Sequence, residues 1–200
     1  MTLDPRDFDA LMMMAWASRR IGTRALLQSW ALALVGNAVG AIATAALVFA
    51  SGQYAFWGGA VGAAALASAQ HRLSLGFGQA LALGVLGNAL VCLAVWLALS
   101  ARSTSDRIAC VLPPVTAFVA AGFEHSIANL YFVPVALLIL HGAPPEFWAS
   151  AALARSDFAG LELGRFLAAN LLPVVVGNVI GGAGLVGGVY WLVYSRARTH

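Results

Sequence analysis

The stretch GFEHSIANLYFVP at residues 122–134 places a carboxylate and an imidazole, Glu124 and His125, side by side inside a long apolar segment. The nearest other charged residues are Arg107 before it and Glu146 after it. Ionisable side chains are rare within membrane-spanning segments, and where they occur they mark substrate or ion pathways. The pair is therefore the first candidate for a functional site, and the segment around it decides which membrane fold is expected.

The composition of the chain is that of a membrane protein. Of its 200 residues, 61% are hydrophobic and 10% are charged, with a mean hydropathy of +0.85, whereas soluble domains carry about 25% charged residues. A spanning helix needs roughly 20 mostly apolar residues. Long uncharged runs therefore predict spanning helices near 25–50, 75–100 and 166–194, a fourth crossing spread over 108–141, and a short helix over 55–70.

The arginines set the expected orientation, because positively charged residues accumulate in cytoplasmic loops. All eleven basic residues are Arg; with four crossings, eight lie on the side of the two termini and three, Arg72, Arg155 and Arg165, lie on the other. We predict a multi-pass protein of the cell inner (plasma) membrane with both termini in the cytoplasm. This bias accounts for the net charge of +3, so no nucleic-acid partner is expected.

The chain has no long linker and no low-complexity tail, which favours one membrane domain over 1–200. Within it we expect a cytoplasmic segment with a short helix over 1–23, a transmembrane region over 24–195 and a cytoplasmic tail over 196–200. The lipid bilayer is accordingly the first expected partner.

The fourth crossing has the features of a broken helix. It contains LPPVT at 112–116, with two prolines, and a third proline at Pro134, and proline removes a backbone donor. Gly122 lies between them and lets the chain leave helical geometry. We expect half-helices near 104–120 and 124–140, joined by an unwound stretch around 119–123. An unwound backbone at membrane depth is tolerated where protein or a water-filled path satisfies it.

Five side chains are candidates for a path through the membrane. We interpret His125 as pore-lining, because an imidazole donates, accepts or holds a proton near neutral pH. Glu124, at the start of the second half-helix, is interpreted as structural, accepting backbone N–H bonds and complementing the helix dipole. Asn88 lies mid-span, where an amide usually joins helices. Phe118 either narrows a path or packs in the core. Arg72 either snorkels to the interface or attracts anions.

Small residues spaced four apart indicate close helix packing. The pairs are Gly36/Gly40, Gly58/Gly62, Gly177/Gly181 and Gly184/Gly188. In addition, GNAVGA at 36–41 resembles GNVIGG at 177–182, on helices expected to run in opposite senses, which is typical of an inverted repeat. The remaining membrane asparagines are expected to be packing groups: Asn37, Asn129, Asn170 and Asn178.

No pattern typical of an enzyme or a cofactor site is present. The sequence has no HExxH, no phosphate loop and no Ser/His/Asp set, so we expect no catalytic residue, no cofactor and no metal. Cys92 and Cys110 have no metal-like spacing and are interpreted as buried thiols.

Several segments together resemble the formate/nitrite transporter family. AFVAAGFEHSIANLYFVP at 117–134 is similar to the signature segment of that family, and the similarity extends from about residue 10 to 195. LGVLGNALVCLAVWLALSARS at 83–103 and NLLPVVVGNVIGGAGLVGGVYW at 170–191 resemble its fourth and sixth helices. ASRRIGTRALLQSWALALVGNAVGAI at 17–42 resembles the end of its second helix and the start of its third.

The resemblance implies an aquaporin-like protomer of six helices, with helices two and five broken, assembled as a homopentamer with one pore per protomer. It implies small monovalent anions such as formate and nitrite as substrates; some members carry lactate, acetate or hydrosulfide. The family's pore histidine corresponds to His125, its glutamate to Glu124, its pore asparagine to Asn88 and its constriction phenylalanine to Phe118. Its vestibule lysine corresponds to Arg72, so the charge is kept.

The resemblance begins inside the family's second helix, since residues 10–18 are similar to the second half of that helix. We therefore expect an all-α, N-terminally truncated bundle with about four crossings and a broken helix over about 104–140. Two hypotheses follow. The chain is either a subunit of an anion channel or a truncated, non-conducting structural remnant of one.

Overall fold

The computed structural model describes residues 9–195, and over that range the chain is all-helical with no strand. The predicted tail 196–200 and the first eight residues lie outside the described residues. The helices are α1 (Asp9–Ala17), α2 (Thr23–Ala50), α3 (Ala60–Ser74), α4 (Phe77–Ser100), α5 (Thr104–Ala120), α6 (Ser126–Gly142) and α7 (Pro145–Ser150).

The last helix, α8, is a continuous helical run over 163–195 in which α-helical and wider π-helical turns alternate. Its α-helical segments are Leu163–Arg165, Leu172–Val179 and Gly188–Tyr190, and its π-helical segments are Phe166–Leu171, Ile180–Gly187 and Trp191–Ser195. Short 3₁₀ turns lie at Gln53–Ala55 and Arg155–Phe158.

The three predicted continuous spans are confirmed. Over the described residues, three helical stretches are long and apolar enough to cross a membrane: Thr23–Ala50, Phe77–Ser100 and Arg155–Val193, the last of which contains most of α8. The predicted interruption after α2 is also present, because α2 ends at Ala50 and the next long helix begins at Ala60. The all-α membrane fold predicted from the sequence is therefore confirmed.

The broken helix is present, but its second half starts later than predicted. α5 ends at Ala120 and α6 begins at Ser126, so Glu124 and His125 lie in the break and not in the first turn of α6. The physical reason is that Gly122 takes a left-handed φ of 65° and turns the chain out of the helix. The prolines do not cause the break: Pro113 and Pro114 lie within α5, and Pro134 lies within α6.

A capping box fixes the start of α5. The backbone N–H of Asp106 donates to Ser103 Oγ at 3.1 Å, and the N–H of Ser103 donates to Asp106 Oδ2 at 3.2 Å. These reciprocal bonds satisfy orphan donors at the helix start. The first half-helix therefore has a defined beginning as well as a defined end.

The chain divides into two compact units. Unit 1 comprises the described residues within 1–33, 81–125 and 174–200, and unit 2 comprises 34–80 and 126–173. In unit 2, α3 and α6 pack around a core that includes Leu66, Val133 and Ile139, all of them buried. A Cβ on Gly62 of α3 would lie 2.6 Å from the ring of Phe147, so only glycine admits that ring.

In unit 1, glycines bring α4 and α8 into backbone contact. A Cβ on Gly177 would overlap the carbonyl oxygen of Leu81, and one on Gly181 would overlap the carbonyl oxygen of Val85. The close packing predicted for this pair is therefore confirmed. By contrast, Gly36 and Gly40 on α2 have nothing within 4 Å of such a Cβ. Unit 1 also includes α1, which packs on the Ile180–Gly187 segment of α8.

We expect Gly181→Ala to destabilise the protein, because the new methyl group would force α4 and α8 apart at a cost of about 1–3 kcal/mol. The matched control is Gly184→Ala on the same helix, where a Cβ meets nothing within 4 Å. That change should be neutral or stabilising by up to about 1 kcal/mol, since alanine favours helix. The midpoint temperature of unfolding in detergent measures both. Equal midpoints for the two variants would show that α4 and α8 do not pack through Gly181.

Candidate functional site

The break between α5 and α6 is the first part of the candidate site, and backbone and side-chain groups from α4 and α8 hold it. The N–H of Glu124 donates to the carbonyl of Leu83 at 3.4 Å. The carbonyl of Glu124 accepts a bond of 3.2 Å from Asn178 Nδ2, which also donates to the carbonyl of Gly84 at 2.9 Å. A Cβ on Gly87 would lie 2.6 Å from the Glu124 carbonyl oxygen, so α4 approaches the break closely at glycine.

Asn88 holds Asn178 in place. Its Nδ2 donates to the main-chain carbonyl of Asn178 at 2.7 Å, and both side chains are buried. Gly182 allows this approach, because a Cβ there would overlap the Asn88 amide nitrogen. The amide of Asn88 thus joins α4 to α8, which is the packing role that the sequence favours. The amide of Asn178 in turn joins α8 to the break.

The role of Asn178 at the break is the part that sequence reasoning missed. The sequence predicts only helix packing for Asn178, yet this side chain donates to the carbonyl of Glu124, the residue before the candidate histidine. A signal was present: a Gly-Asn pair occurs at 36–37, 87–88 and 177–178. In the last two pairs the glycine admits the backbone of another segment, and the adjacent asparagine donates to a main-chain carbonyl of another helix.

Phe118 and His125 meet at the break. Their ring centroids are 6.2 Å apart with planes at 83°, an edge-to-face arrangement, and both side chains are half-buried. Glu124 is buried, at 3% exposure. Four of the five predicted site residues, Asn88, Phe118, Glu124 and His125, are therefore brought together within unit 1.

The fifth predicted residue, Arg72, belongs to unit 2 and is held by a polar cluster there. Its Nε donates to Asn129 Oδ1 at 3.0 Å, and one terminal nitrogen donates to the carbonyl and hydroxyl oxygens of Ser68. The guanidinium lies 4.5 Å from the ring centroid of Phe132. Asn129 donates to Asn170 Oδ1 at 2.8 Å, and Asn170 donates back to the Arg72 carbonyl at 3.1 Å.

These bonds form a closed ring that joins α3, α6 and α8 within unit 2. They also make clear why arginine is suited to this position: its fork bonds Asn129 and Ser68 at the same time, which a single ammonium group does with less geometric control. Asn129 and Asn170 act as the packing groups that the sequence predicted.

An imidazole can donate, accept or hold a proton, so His125 gives the break a group that is able to transfer a proton or to hydrogen-bond an anion. His125 directly precedes α6, a helix of 17 residues whose amino end carries partial positive charge. No cluster of three or more His, Cys, Asp or Glu that would hold a metal ion occurs in the part of the chain that the structure describes. Cys92 is buried beside Val186, whereas Cys110 is only half-buried, so the predicted burial holds for the first cysteine and is wrong for the second.

Comparisons with known proteins agree on one family. The profile of the formate/nitrite transporter family matches residues 9–192. The chain is 42% identical over 190 residues to the formate channel FocA of Escherichia coli K12 and covers 67% of its length. It is 40% identical to the formate channel FocB of the same strain over 195 residues, covering 68% of that protein.

A solved structure is also similar. The fold superposes on a chain described as a pentameric formate channel with formate bound, with a TM-score of 0.82 and 42% identity. The match covers 86% of this chain and 67% of that one. The present chain thus spans about two thirds of the length of these relatives.

We expect Asn178→Ala to destabilise the protein by about 1–3 kcal/mol, because it leaves the buried carbonyls of Gly84 and Glu124 without this donor. The matched control is Asn37→Ala, the equivalent position of the Gly-Asn pair at 36–37, whose side chain is exposed on α2. That change should alter stability by less than about 0.5 kcal/mol. Denaturant or thermal unfolding in detergent measures the difference. A stability loss that is the same for both variants would contradict the role assigned to Asn178.

Proposed function

The chain belongs to the formate/nitrite transporter family, and from that premise we propose that it conducts small monovalent anions of the formate/nitrite type through a path that passes His125. The single observation that carries the proposal is the break at Ala121–His125, where a titratable side chain lies at a helix interruption. The names of the similar proteins support transport, and they give no support for an enzyme.

The proposed mechanism follows from the cost of charge in a membrane. Moving a bare anion from water into the bilayer core costs several kcal/mol of free energy, whereas moving a neutral acid does not. The positive amino end of α6 draws the anion toward the break. His125 then either stabilises the anion as an imidazolium or donates a proton to it, so that it passes Phe118 as a neutral acid. The edge-to-face contact between Phe118 and His125 fits the role of an apolar constriction next to the proton donor.

The other predicted residues have supporting roles in this proposal. Glu124 fixes the break through its backbone, and its buried side chain stays beside the path. Asn88 contributes to the path chiefly by holding Asn178. Arg72 supplies positive charge in a vestibule, its guanidinium held by Asn129 and Ser68. The anion is formate or nitrite in this proposal, and no cofactor takes part.

We further propose a homopentamer in the cell inner membrane, with both termini in the cytoplasm. The pentameric assembly of the similar formate channel supports the first statement, and the excess of arginines on the side of the termini supports the second. The first residue of α2, Thr23, and a residue near the end of α8, Trp191, line one cavity of unit 1. The proximity of these two helix ends supports an even number of crossings between them.

A second candidate is a subunit that inserts into the membrane and does not conduct. The observation that favours it is the exposure of two helices: α5 has no buried residue, and only 6% of the most apolar 18-residue window of α2 is buried. A path bordered by α5 is enclosed only if lipid or another chain covers that helix. Absence of formate flux from the 200-residue chain in vesicles would select this second candidate.

We expect His125→Ala to slow formate uptake into proteoliposomes by about tenfold to a hundredfold, the equivalent of one lost charge-assisted hydrogen bond at the barrier. The variant should also lose the dependence of uptake on pH between about 5 and 8, the range in which an imidazole changes its charge. His71→Ala is the matched control, because His71 is exposed on α3. An unchanged rate and pH profile in the His125 variant would refute proton handling by this imidazole.

A further inference from the structure

A cavity of about 720 Å³ opens in unit 1 where the end of α1, the start of α2 and the end of α8 meet. Its lining combines the cations Arg19 and Arg20 with the aromatic rings of Trp16 and Trp191, and Thr23 also contributes to it. None of these residues belongs to the break or to the proposed anion path. We propose that this cavity binds the phosphate headgroup of an anionic phospholipid taken from the surrounding membrane.

Backbone hydrogen bonds at the end of α1 fix the main chain that carries the two arginines of the cavity. The N–H of Arg20 donates to the carbonyl of Ala15 at 2.9 Å, and the N–H of Arg19 donates to the carbonyl of Trp16 at 2.8 Å. These are the paired bonds of a Schellman motif, whose left-handed residue is usually glycine. Here that residue is Arg19, with a φ of 56°. Residues other than glycine that are held in this conformation are strained, and they cluster at functional sites, ligand clamps among them.

Helix geometry adds to the attraction for an anion. Thr23 is the first residue of α2, a helix of 28 residues, and the amino end of a helix carries partial positive charge. Trp16 Nε1 donates to Thr23 Oγ1 at 3.0 Å, which ties the end of α1 to this helix start. Two guanidinium groups and a helix amino end therefore line the same cavity.

The position and lining of the cavity favour a lipid over a free anion. The cavity lies where the first predicted span begins and the last one ends. The ends of a spanning helix are expected at the depth of the lipid headgroups. Tryptophan is enriched at that depth, and both Trp16 and Trp191 line the cavity. Met13 and Ile21 add apolar surface beside the cations, which suits the first carbons of acyl chains and not a fully hydrated ion.

The experiment compares two double variants, each of which removes two positive charges. Arg19→Gln/Arg20→Gln removes the cations of the cavity, and Arg102→Gln/Arg107→Gln removes two exposed arginines in and beside the α4–α5 connection. Native mass spectrometry of the purified full chain, titrated with phosphatidylglycerol and with phosphatidylcholine, measures lipid binding. We expect phosphatidylglycerol affinity to fall about thirtyfold in the first variant, since each arginine near an anionic headgroup contributes about fivefold. The control variant should stay within about twofold of the unmodified chain.

Two further variants keep the outcome interpretable. Arg19→Gly/Arg20→Gln removes the charges and also relieves the left-handed backbone, so it tests the same loss if the glutamine variant folds poorly. Arg19→Lys/Arg20→Lys should keep most of the preference for phosphatidylglycerol. An equal loss of affinity in the cavity and control variants would show that the net positive charge of the protein, and not the cavity, attracts the lipid. That result would overturn the proposal. So would inorganic phosphate binding as tightly as phosphatidylglycerol, which would show a site for a free anion.

Discussion

The bonds that Asn178 makes to the main chain of Gly84 and Glu124 are the interaction on which the candidate site depends. A chain that leaves helical geometry within a membrane exposes N–H and C=O groups that lipid cannot satisfy. At the break, α4 supplies an acceptor through Leu83, and α8 supplies a donor through Asn178. The break is thereby kept as a defined structure, and His125 follows directly from the residue that is held.

This requirement explains the glycines of unit 1. An amide side chain is short, so Asn178 reaches the break only if α8 lies almost in backbone contact with α4. Gly177 and Gly181 provide that contact, and Gly87 lets α4 approach the Glu124 carbonyl. Helix packing, the satisfied break and the position of the histidine are therefore consequences of one arrangement. The polar ring of Arg72, Asn129 and Asn170 serves unit 2 in a comparable way, with amide groups that join helices.

Much of the fold was predictable from the sequence because it depends on local properties. Uncharged length identified α2, α4 and α8, and Gly122 identified the place of the break. The start of α6 was not predictable, because it depends on bonds between residues far apart in sequence. Glu124 donates its N–H to Leu83 on α4 and accepts from Asn178 on α8, so helical geometry begins only at Ser126. The partners of Arg72 likewise come from helices that composition alone does not place side by side.

We infer that Asn178 acts on transport through the break that presents His125. A double-mutant cycle on formate flux in proteoliposomes tests it most directly, using His125→Ala, Asn178→Ala and the double variant, each normalised to the amount of folded protein. If Asn178 acts by presenting the histidine, the double variant should conduct within about twofold of His125→Ala alone, because a coupled pair is not additive. If the two losses multiply, the residues act independently, and the break is not what links the asparagine to the path.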